Sequence, residues 1–248
     1  MCQQQLFITT GVVAVRLQWI VLWALLGSFS LLAQSKSRHD LWESQLQKFV
    51  STEGKVNYAA WQKERGLLDT YLQVLSETPP QPRWPKNDLL AYWINAYNAL
   101  TVQLILDYYP VKSIKDIPKR WSIPVFATGG VSYTLGDIEH KILRKQDEKR
   151  IHFAINCASV SCPNLYRSAF KGAKLEYQLE TVTRQFFHDK SKNQFESDRI
   201  LLSKILLWFI VDFGFKKEKL EFLSRYSPIP IDSEVRIRYL PYDWSLNE

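Results

Sequence analysis

The side chains best suited to chemistry lie close together, between residues 133 and 165. They are Glu139, His140, His152, Cys157 and Cys162. A cysteine acts as a nucleophile through its thiolate, which needs a nearby base or positive field and partial exposure. These residue types predict acyl transfer, in which Cys157 attacks an amide or ester, His140 is its base, and Glu139 or an asparagine amide orients the histidine. Backbone N–H groups of residues 158–161 would hold the oxyanion.

The two cysteines have other interpretations. In an exported protein, Cys157 and Cys162 are also typical of a disulfide that closes a short loop and silences the nucleophile. Cysteine is, in addition, among the residues most often buried as an inert thiol. Two cysteines with His140 or His152 could bind zinc, but the C-x₂-C spacing of strong zinc sites is missing. We therefore predict no metal and no cofactor.

The polar neighbours also have structural interpretations. Successive residues of a helix do not face each other, so Glu139 and His140 should contact different partners. Arg144 is expected to pair with a carboxylate or with the loop over residues 157–162. His152 follows an apolar pattern and is expected to be a hydrogen-bonded core residue. The remaining two histidines are expected at the surface; they are His39 and His188.

A long helix must position this stretch. Residues 88–108 are apolar on nearly every side and carry no charge between Asp88 and Asp107, with Asn87 as a possible cap. Such a helix is central in a fold or embedded in a membrane, and its aromatic residues and interior asparagines favour a central, buried position. Asn95 and Asn98 lie three apart, so they share one face, and a buried amide needs a polar partner.

The other elements are short. Gly129-Gly130 predicts a hairpin turn, and Thr134 or Asp137 should cap the helix that carries Glu139 and His140. The apolar run over residues 151–155 predicts a buried strand that delivers Cys157 to a loop. Further elements are expected as helices over 39–49, 59–76, 174–188, 204–213 and 216–226, and strands over 200–203 and 235–239. Helices outnumber strands, so the fold class is α+β: a single, mostly helical domain around the helix 88–108, with a small mixed or antiparallel sheet.

The first 35 residues predict an export signal. Arg16 precedes an apolar core over residues 17–32, and the small residues Ala33 and Ser35 mark a cleavage site after residue 35. An uncleaved membrane anchor is the alternative, although the apolar core is short for a span. Residues 1–14 carry no charge, which suggests a true start near residue 15. The globular domain then covers 36–248, in the periplasm or outside the cell.

The chain has a formal net charge of +7, which could suit an anionic partner. Its lysines and arginines are interleaved with acids, however, and one-sided clustering is what nucleic-acid binding requires. Nucleic acid is therefore not an expected partner. A small molecule, a peptide or another envelope protein is expected instead, with membrane contact only through residues 16–35 if they stay uncleaved.

Several longer motifs resemble a bacterial member of domain-of-unknown-function family 547. They are AYWINAYNALTV (91–102), YPVKSI (109–114), LGDIEHKILR (135–144), HFAINCASVSCP (152–163) and YDWSLN (242–247). The resemblance spans residues 55–247 and implies a shared fold, without an established activity. It marks as matching positions Asn95, Asn98, Glu139, His140, Arg144 and Cys157.

We therefore expect an exported protein with a thiol-dependent hydrolase or transferase site at Cys157, His140 and Glu139, supported by Asn95, Asn98 and Arg144. The alternative is a non-catalytic module that binds a partner in an aromatic groove, with Cys157 and Cys162 joined as a disulfide. A central helix followed by a histidine-bearing strand is also distantly similar to papain- and transglutaminase-like cores. In those folds the helix offers cysteine where this chain has asparagine.

Overall fold

The structure, a computed structural model, describes residues 37–248. The expected signal segment and the start near residue 15 lie outside the described residues. Within them, Arg38–Glu248 form one compact unit. Its helices are α1 Asp40–Phe49, α2 Tyr58–Lys63, α3 Gly66–Glu77, α4 Lys86–Tyr108, α5 Leu135–Asp137, α6 Ile151–Ala154, α7 Leu175–His188, α8 Ile205–Trp208, α9 Ile210–Phe213 and α10 Lys216–Leu223. Its strands are β1 Pro124–Thr128, β2 Val131–Thr134, β3 Gln194–Phe195, β4 Arg199–Leu202 and β5 Arg236–Tyr239.

Helix α4 is the centre of the fold, as its sequence predicts. It is long and apolar enough to cross a membrane, but 89% of its most apolar window is buried inside the fold. It begins at Lys86 rather than at a cap by Asn87, because the carbonyl of Pro85 already accepts from the N–H groups of Asp88 and Leu89. Pro110 follows its last turn. The other helices and the two small sheets pack around it, so the α+β fold class is confirmed.

The predicted hairpin is present and leads into the site. Strands β1 and β2 are antiparallel, and both turn residues, Gly129 and Gly130, have positive φ as a tight two-residue turn requires. Thr134 then caps the next helix: its hydroxyl accepts from the N–H of Asp137, whose carboxylate accepts from the N–H of Thr134. Beyond α5 the chain widens into a π-helix over Ile138–Ile142, which carries Glu139 and His140.

The strand predicted over residues 151–155 is wrong. Residues Ile151–Ala154 form one turn of helix, α6, and only Ile155 is extended. A short apolar run cannot be assigned to strand or helix from periodicity alone when it is buried on all sides. Here Phe153 packs on Phe186 and Phe187 of α7, with ring centroids 4.9 and 5.0 Å apart. Residues 151–155 belong to neither of the two sheets found over residues 37–248.

Three smaller expectations also need correction. The helix expected over 59–76 is two helices, α2 and α3, and the helix expected over 204–213 is divided into α8 and α9. His39 is buried rather than exposed, and its Nδ1 lies 2.8 Å from the hydroxyl of Tyr71. Burial and the nearby charges of Arg38 and Lys171 lower the pKa of His39 to about 3, so this histidine is neutral.

The second sheet has three strands, β3, β4 and β5. Strand β4 is antiparallel to β3 and parallel to β5, so the sheet is mixed, as expected. From β4 the chain passes directly into α8 and α9, which form one wall of the site. From β5 it passes to a terminal strip over residues 242–247. This strip hydrogen-bonds to the cysteine loop through the carbonyls of Asp243 and Ser245, which accept from the N–H groups of Ser161 and Val160.

Candidate functional site

All three side chains that the sequence predicts to be catalytic line one pocket of about 350 Å³. Glu139 and His140 approach from the π-helix, and Cys157 approaches from the loop after α6. Aromatic side chains form most of the remaining wall: Tyr97, Trp121, Trp208, Phe209, Tyr242 and Trp244. An apolar pocket with a few convergent polar groups is the usual form of a small-molecule or active site.

Asn98 fixes the backbone immediately before Cys157. Its amide nitrogen donates to the carbonyl of Ala154 at 2.9 Å, and its amide oxygen accepts from the N–H of Asn156 at 2.8 Å. Asn95 makes the same two-bond contact one turn earlier, with the N–H and carbonyl of Phe170. Both asparagines are buried. Their expected role as a buried, hydrogen-bonded network is therefore confirmed.

A second amide holds the turn that carries Cys157. The Asn156 side chain donates to the carbonyl of Pro163 at 2.7 Å and accepts from the N–H of Ala158 at 2.9 Å. Ala158 is fully buried and has a φ of 60°, a left-handed conformation that non-glycine residues adopt only when their surroundings impose it. Asn247 closes the network, because its amide reaches Asn156 and accepts from the hydroxyl of Tyr58.

The Cys157 thiol is partly exposed in the pocket and is surrounded by hydrogen-bond donors. Its sulfur lies 3.2 Å from the hydroxyl of Ser159 and 3.4 Å from that of Tyr242. The pKa of Cys157 is lowered to about 7. The hydrogen bond with the Cys162 thiol lowers it most, and the hydroxyls of Ser159 and Tyr242 lower it further, whereas burial acts in the opposite direction. The pKa of Cys162 moves the opposite way, raised by burial and by the charge on Cys157. Cys157 is therefore the thiol that ionises near neutral pH.

Glu139 is a second group that titrates near neutral pH. Burial and, after it, the charge on Cys157 raise the pKa of its carboxyl to about 7. The hydroxyl of Tyr97 lies 3.2 Å away and donates to it. The negative charge of an ionised Cys157 therefore favours the protonated form of Glu139. A thiolate beside a protonated carboxyl is a nucleophile beside a proton donor.

His140 makes no hydrogen bond to Cys157 within residues 37–248, so the structure gives no support for its expected role as the base. Its Nδ1 lies 3.2 Å from a guanidinium nitrogen of Arg144. A guanidinium only donates, so Nδ1 must be the acceptor. Burial and Arg144 lower the pKa of His140, which leaves the ring neutral with its proton on Nε2. In this form His140 offers the pocket a hydrogen-bond donor.

One carboxylate, Asp212, holds Arg144 and a second histidine in place. Arg144 donates to its two oxygens at 2.6 and 2.7 Å, which confirms the expected pairing of Arg144 with a carboxylate. The Nε2 of His152 lies 2.7 Å from the same carboxylate. Burial lowers the pKa of His152 to about 4 despite Asp212, so this ring is neutral too. Its interpretation as a satisfied core residue is confirmed, although it stands on helix α6 rather than on a strand.

The expected oxyanion hole over residues 158–161 is wrong, because these N–H groups already have partners. Those of Ala158, Val160 and Ser161 donate to Asn156, Ser245 and Asp243, respectively. That of Ser159 faces the sulfur of Cys157 and lowers its pKa. A carbonyl bound beside Cys157 would meet the Nε2–H of His140 or the hydroxyl of Tyr242 instead.

The structure holds Cys157 and Cys162 as free thiols, not as the disulfide of the alternative interpretation. The N–H of Cys157 donates to the sulfur of Cys162 at 2.9 Å, so the two residues are in contact all the same. In the described part of the chain, no group of three histidine, cysteine or acidic side chains is arranged to hold a metal ion.

Two residues of the site escaped the sequence analysis. Asp212 is the only acid within an otherwise apolar run over residues 205–215, and a lone carboxylate in such a run needs a partner. That signal was present, but nothing in the spacing pointed to Arg144, 68 positions earlier. Tyr242 lies 85 positions after Cys157, and its motif entered only through the resemblance.

Comparisons with known proteins agree with the resemblance. Residues 82–187 match the model of a family described as protein of unknown function, DUF547. The match runs from α4 to α7 and includes the two backbone-binding asparagines, Glu139, His140 and both cysteines, whereas Asp212 and Tyr242 lie beyond it. Comparisons with curated proteins and with solved structures found no match. Residues 82–187 of the chain are therefore similar to the DUF547 family.

Proposed function

We propose that the protein is a thiol-dependent acyl-transfer enzyme, a hydrolase or transferase, with Cys157 as its nucleophile. The observation that carries this proposal is the pairing of two shifted groups in one pocket: a thiol with a lowered pKa and a carboxyl, Glu139, with a raised one. Such shifts cluster at functional sites, where a nucleophile and an acid–base group must both work near neutral pH.

The chemistry assigned to these groups is a two-step transfer. The Cys157 thiolate attacks the carbonyl carbon of an amide or ester and forms a C–S bond, while the Nε2–H of His140 donates to the developing oxyanion. As the C–N or C–O bond breaks, protonated Glu139 gives its proton to the leaving amine or alcohol. Water or another acceptor then attacks the thioester and transfers a proton to Glu139, and the thiolate leaves as the C–S bond breaks.

The second candidate is a non-catalytic binding module. It is favoured by the aromatic cluster of Trp208, Tyr242 and Trp244, whose ring centroids lie 4.6 to 5.6 Å apart along one wall of the pocket. Flat aromatic walls bind apolar and cationic groups without chemistry. This candidate requires no reactive thiol, so the two proposals differ in a measurable property of Cys157.

We expect iodoacetamide to label Cys157 in the folded protein with a midpoint near pH 7, and to leave the buried Cys162 unlabelled. Cys162→Ala should raise that midpoint by about 1 to 2 pH units, toward the value of a free thiol. Peptide mass spectrometry across a pH series measures both midpoints. The matched control is His140→Ala, which should leave the midpoint unchanged, because the imidazole makes no contact with the sulfur.

Either of two results would refute the reactive thiol. One is a Cys157 that resists labelling until the protein is unfolded. The other is a Cys157–Cys162 disulfide in non-reduced peptide maps of the protein from its native compartment, which would favour the binding module.

Export is part of the proposal, supported by the signal-like segment that Arg16 opens. The mature protein should begin at Lys36 and be found in the periplasm or outside the cell. N-terminal sequencing of the protein from envelope fractions checks this. A cytoplasmic protein that retains residues 16–35 would contradict it.

A further inference from the structure

Four large apolar side chains are exposed along the segment that follows β4. Leu207 is 41% exposed, Trp208 45%, Val211 85% and Phe215 77%. Val211 lies four positions after Leu207, which is the spacing of neighbours on one side of a helix. The backbone stays helical between α8 and α9, because the N–H of Phe213 donates to the carbonyl of Phe209. Phe215 follows the end of α9 at Gly214, whose φ is 77°. We call these four side chains the 207–215 face.

Basic side chains surround this face. Phe215 lines a groove with Lys216, Arg236 and Arg238, and Lys204 and Lys217 flank the face in sequence. Across residues 37–248, no ion pair involves Lys204, Lys217 or Arg238, and the pair of Lys216 with Glu234 is long, at 3.9 Å. Glu234 lines the same groove, Glu218 lies on α10, and Arg236 pairs with Asp198 at 2.9 Å. The excess of cations therefore comes from Lys204, Lys217 and Arg238. An exposed apolar face bordered by cations is the form of surface that enters a membrane interface and attracts anionic lipid headgroups.

The 207–215 face adjoins the mouth of the Cys157 pocket. Trp208 belongs to both. Its ring lies tilted against Tyr242 and stacks on Trp244, at centroid distances of 4.7 and 5.6 Å. Lys115 lies beside the same rim, with its ammonium 5.6 Å from the Trp244 ring. Tryptophan and tyrosine concentrate where membrane meets water, because one end of each ring is apolar and the other polar.

We propose that the 207–215 face docks the protein on an anionic phospholipid bilayer. The substrate of the pocket is then an acyl amphiphile carried in that bilayer. This assignment of the substrate rests on the proposed function. A second copy of the chain fits less well, because two surfaces bordered by unpaired cations would meet and repel. A bilayer that contains anionic lipid satisfies both the apolar side chains and the cations around them.

Hydrogen–deuterium exchange of the full chain with and without vesicles tests the docking and locates it. With vesicles of phosphatidylglycerol and phosphatidylcholine, peptides over residues 204–217 should gain protection. With phosphatidylcholine alone they should not. Raising the salt to about 1 M, where charges are screened within about 3 Å, should reduce the protection. Because the readout is local, binding of vesicles by another segment of the chain does not mimic it.

Two independent variants keep the test decisive. Val211→Ser combined with Phe215→Ser, and Lys204→Glu combined with Lys217→Glu, should each abolish the protection. Tyr177→Ser is the matched control, since it removes an aromatic residue that is 71% exposed on α7, and it should have no effect. Cys157→Ser should dock like the wild type, because docking does not involve the thiol. Failure of the docking experiment therefore leaves the proposed function standing, and failure of the labelling experiment leaves docking standing.

Three results would overturn the docking proposal. The first is protection that vesicles induce only outside residues 204–217, or not at all. The second is protection of the face that rises with protein concentration in the absence of vesicles, which would indicate a second copy. The third is a face already protected without vesicles, which would indicate that another segment of the chain covers it.

Discussion

Replacing Asn98 by leucine should lower the free energy of unfolding by about 2 to 6 kcal/mol, because two buried backbone groups lose their partners at about 1 to 3 kcal/mol each. The groups are the carbonyl of Ala154 and the N–H of Asn156. Both belong to the segment that delivers Cys157. The substitution should therefore also raise the midpoint of thiol labelling, because the sulfur moves relative to its donors. Urea denaturation and the labelling series measure the two effects separately.

Asn95→Leu is the matched control, since Asn95 makes the same two contacts with Phe170, away from the pocket. It should cost a similar free energy of unfolding and leave the labelling midpoint of Cys157 where it is. If both variants shifted the midpoint equally, the shift would reflect general loosening, and the specific role of Asn98 would be wrong. Unchanged stability in both would contradict the buried network itself.

Replacing Glu139 by glutamine should stabilise the protein at alkaline pH and leave its stability unchanged at acid pH. The folded-state pKa of Glu139 is about 7, above its ordinary value of 4.5, so the folded protein holds a proton that the unfolded chain releases between these values. The wild type therefore loses stability as the pH rises from 4.5 through 7. Glutamine does not titrate, so the variant avoids this loss. At pH 8 its free energy of unfolding should exceed that of the wild type by up to about 2 to 3 kcal/mol, and below pH 4.5 the two proteins should be equally stable.

Asp137→Asn provides a control of opposite sign from the preceding turn. Lys141 and Thr134 lower the pKa of Asp137 to about 2, so its charge stabilises the fold above pH 3.8 and stops doing so as the pH falls through 2. This variant should be less stable than the wild type at pH 8. Thermal melts of both variants at pH 4, 6 and 8 provide the comparison. A Glu139→Gln protein that is less stable at pH 8 would mean that the carboxylate is stabilised by its surroundings, and the raised pKa would be wrong.

The sequence was sufficient for the centre of the fold because the constraint there is extreme. A helix without a charge over almost twenty positions can only be buried or span a membrane, and two asparagines on one side of it need partners. The hairpin at Gly129-Gly130 and the cap at Thr134 were equally predictable, because each depends on a few adjacent residues. Arg144 could be expected to find a carboxylate, but the sequence did not say which one.

The rest depended on contacts between distant parts of the chain. Residues 151–155 were misassigned because a run of five apolar residues is compatible with both a buried strand and a buried turn of helix. Proximity in sequence also suggested that His140 serves Cys157. Burial and Arg144, which Asp212 holds in place, instead keep His140 neutral. The partners that lower the pKa of Cys157 include Tyr242, which belongs to the strip that lies against the cysteine loop. No local pattern predicts such a pairing.

The thiol acquires its last hydrogen-bond partners late in synthesis, because the ribosome reaches Tyr242 only 85 residues after Cys157. Asn247, which binds the turn through Asn156, follows 91 residues after that asparagine. A nascent chain that has emerged only as far as α7 already contains Cys162 and Ser159, but it lacks the hydroxyl of Tyr242 that also lowers the pKa of Cys157. The surroundings of the thiol are therefore complete only when residues 242–247 dock on the loop, so a chain truncated before them lacks part of the site.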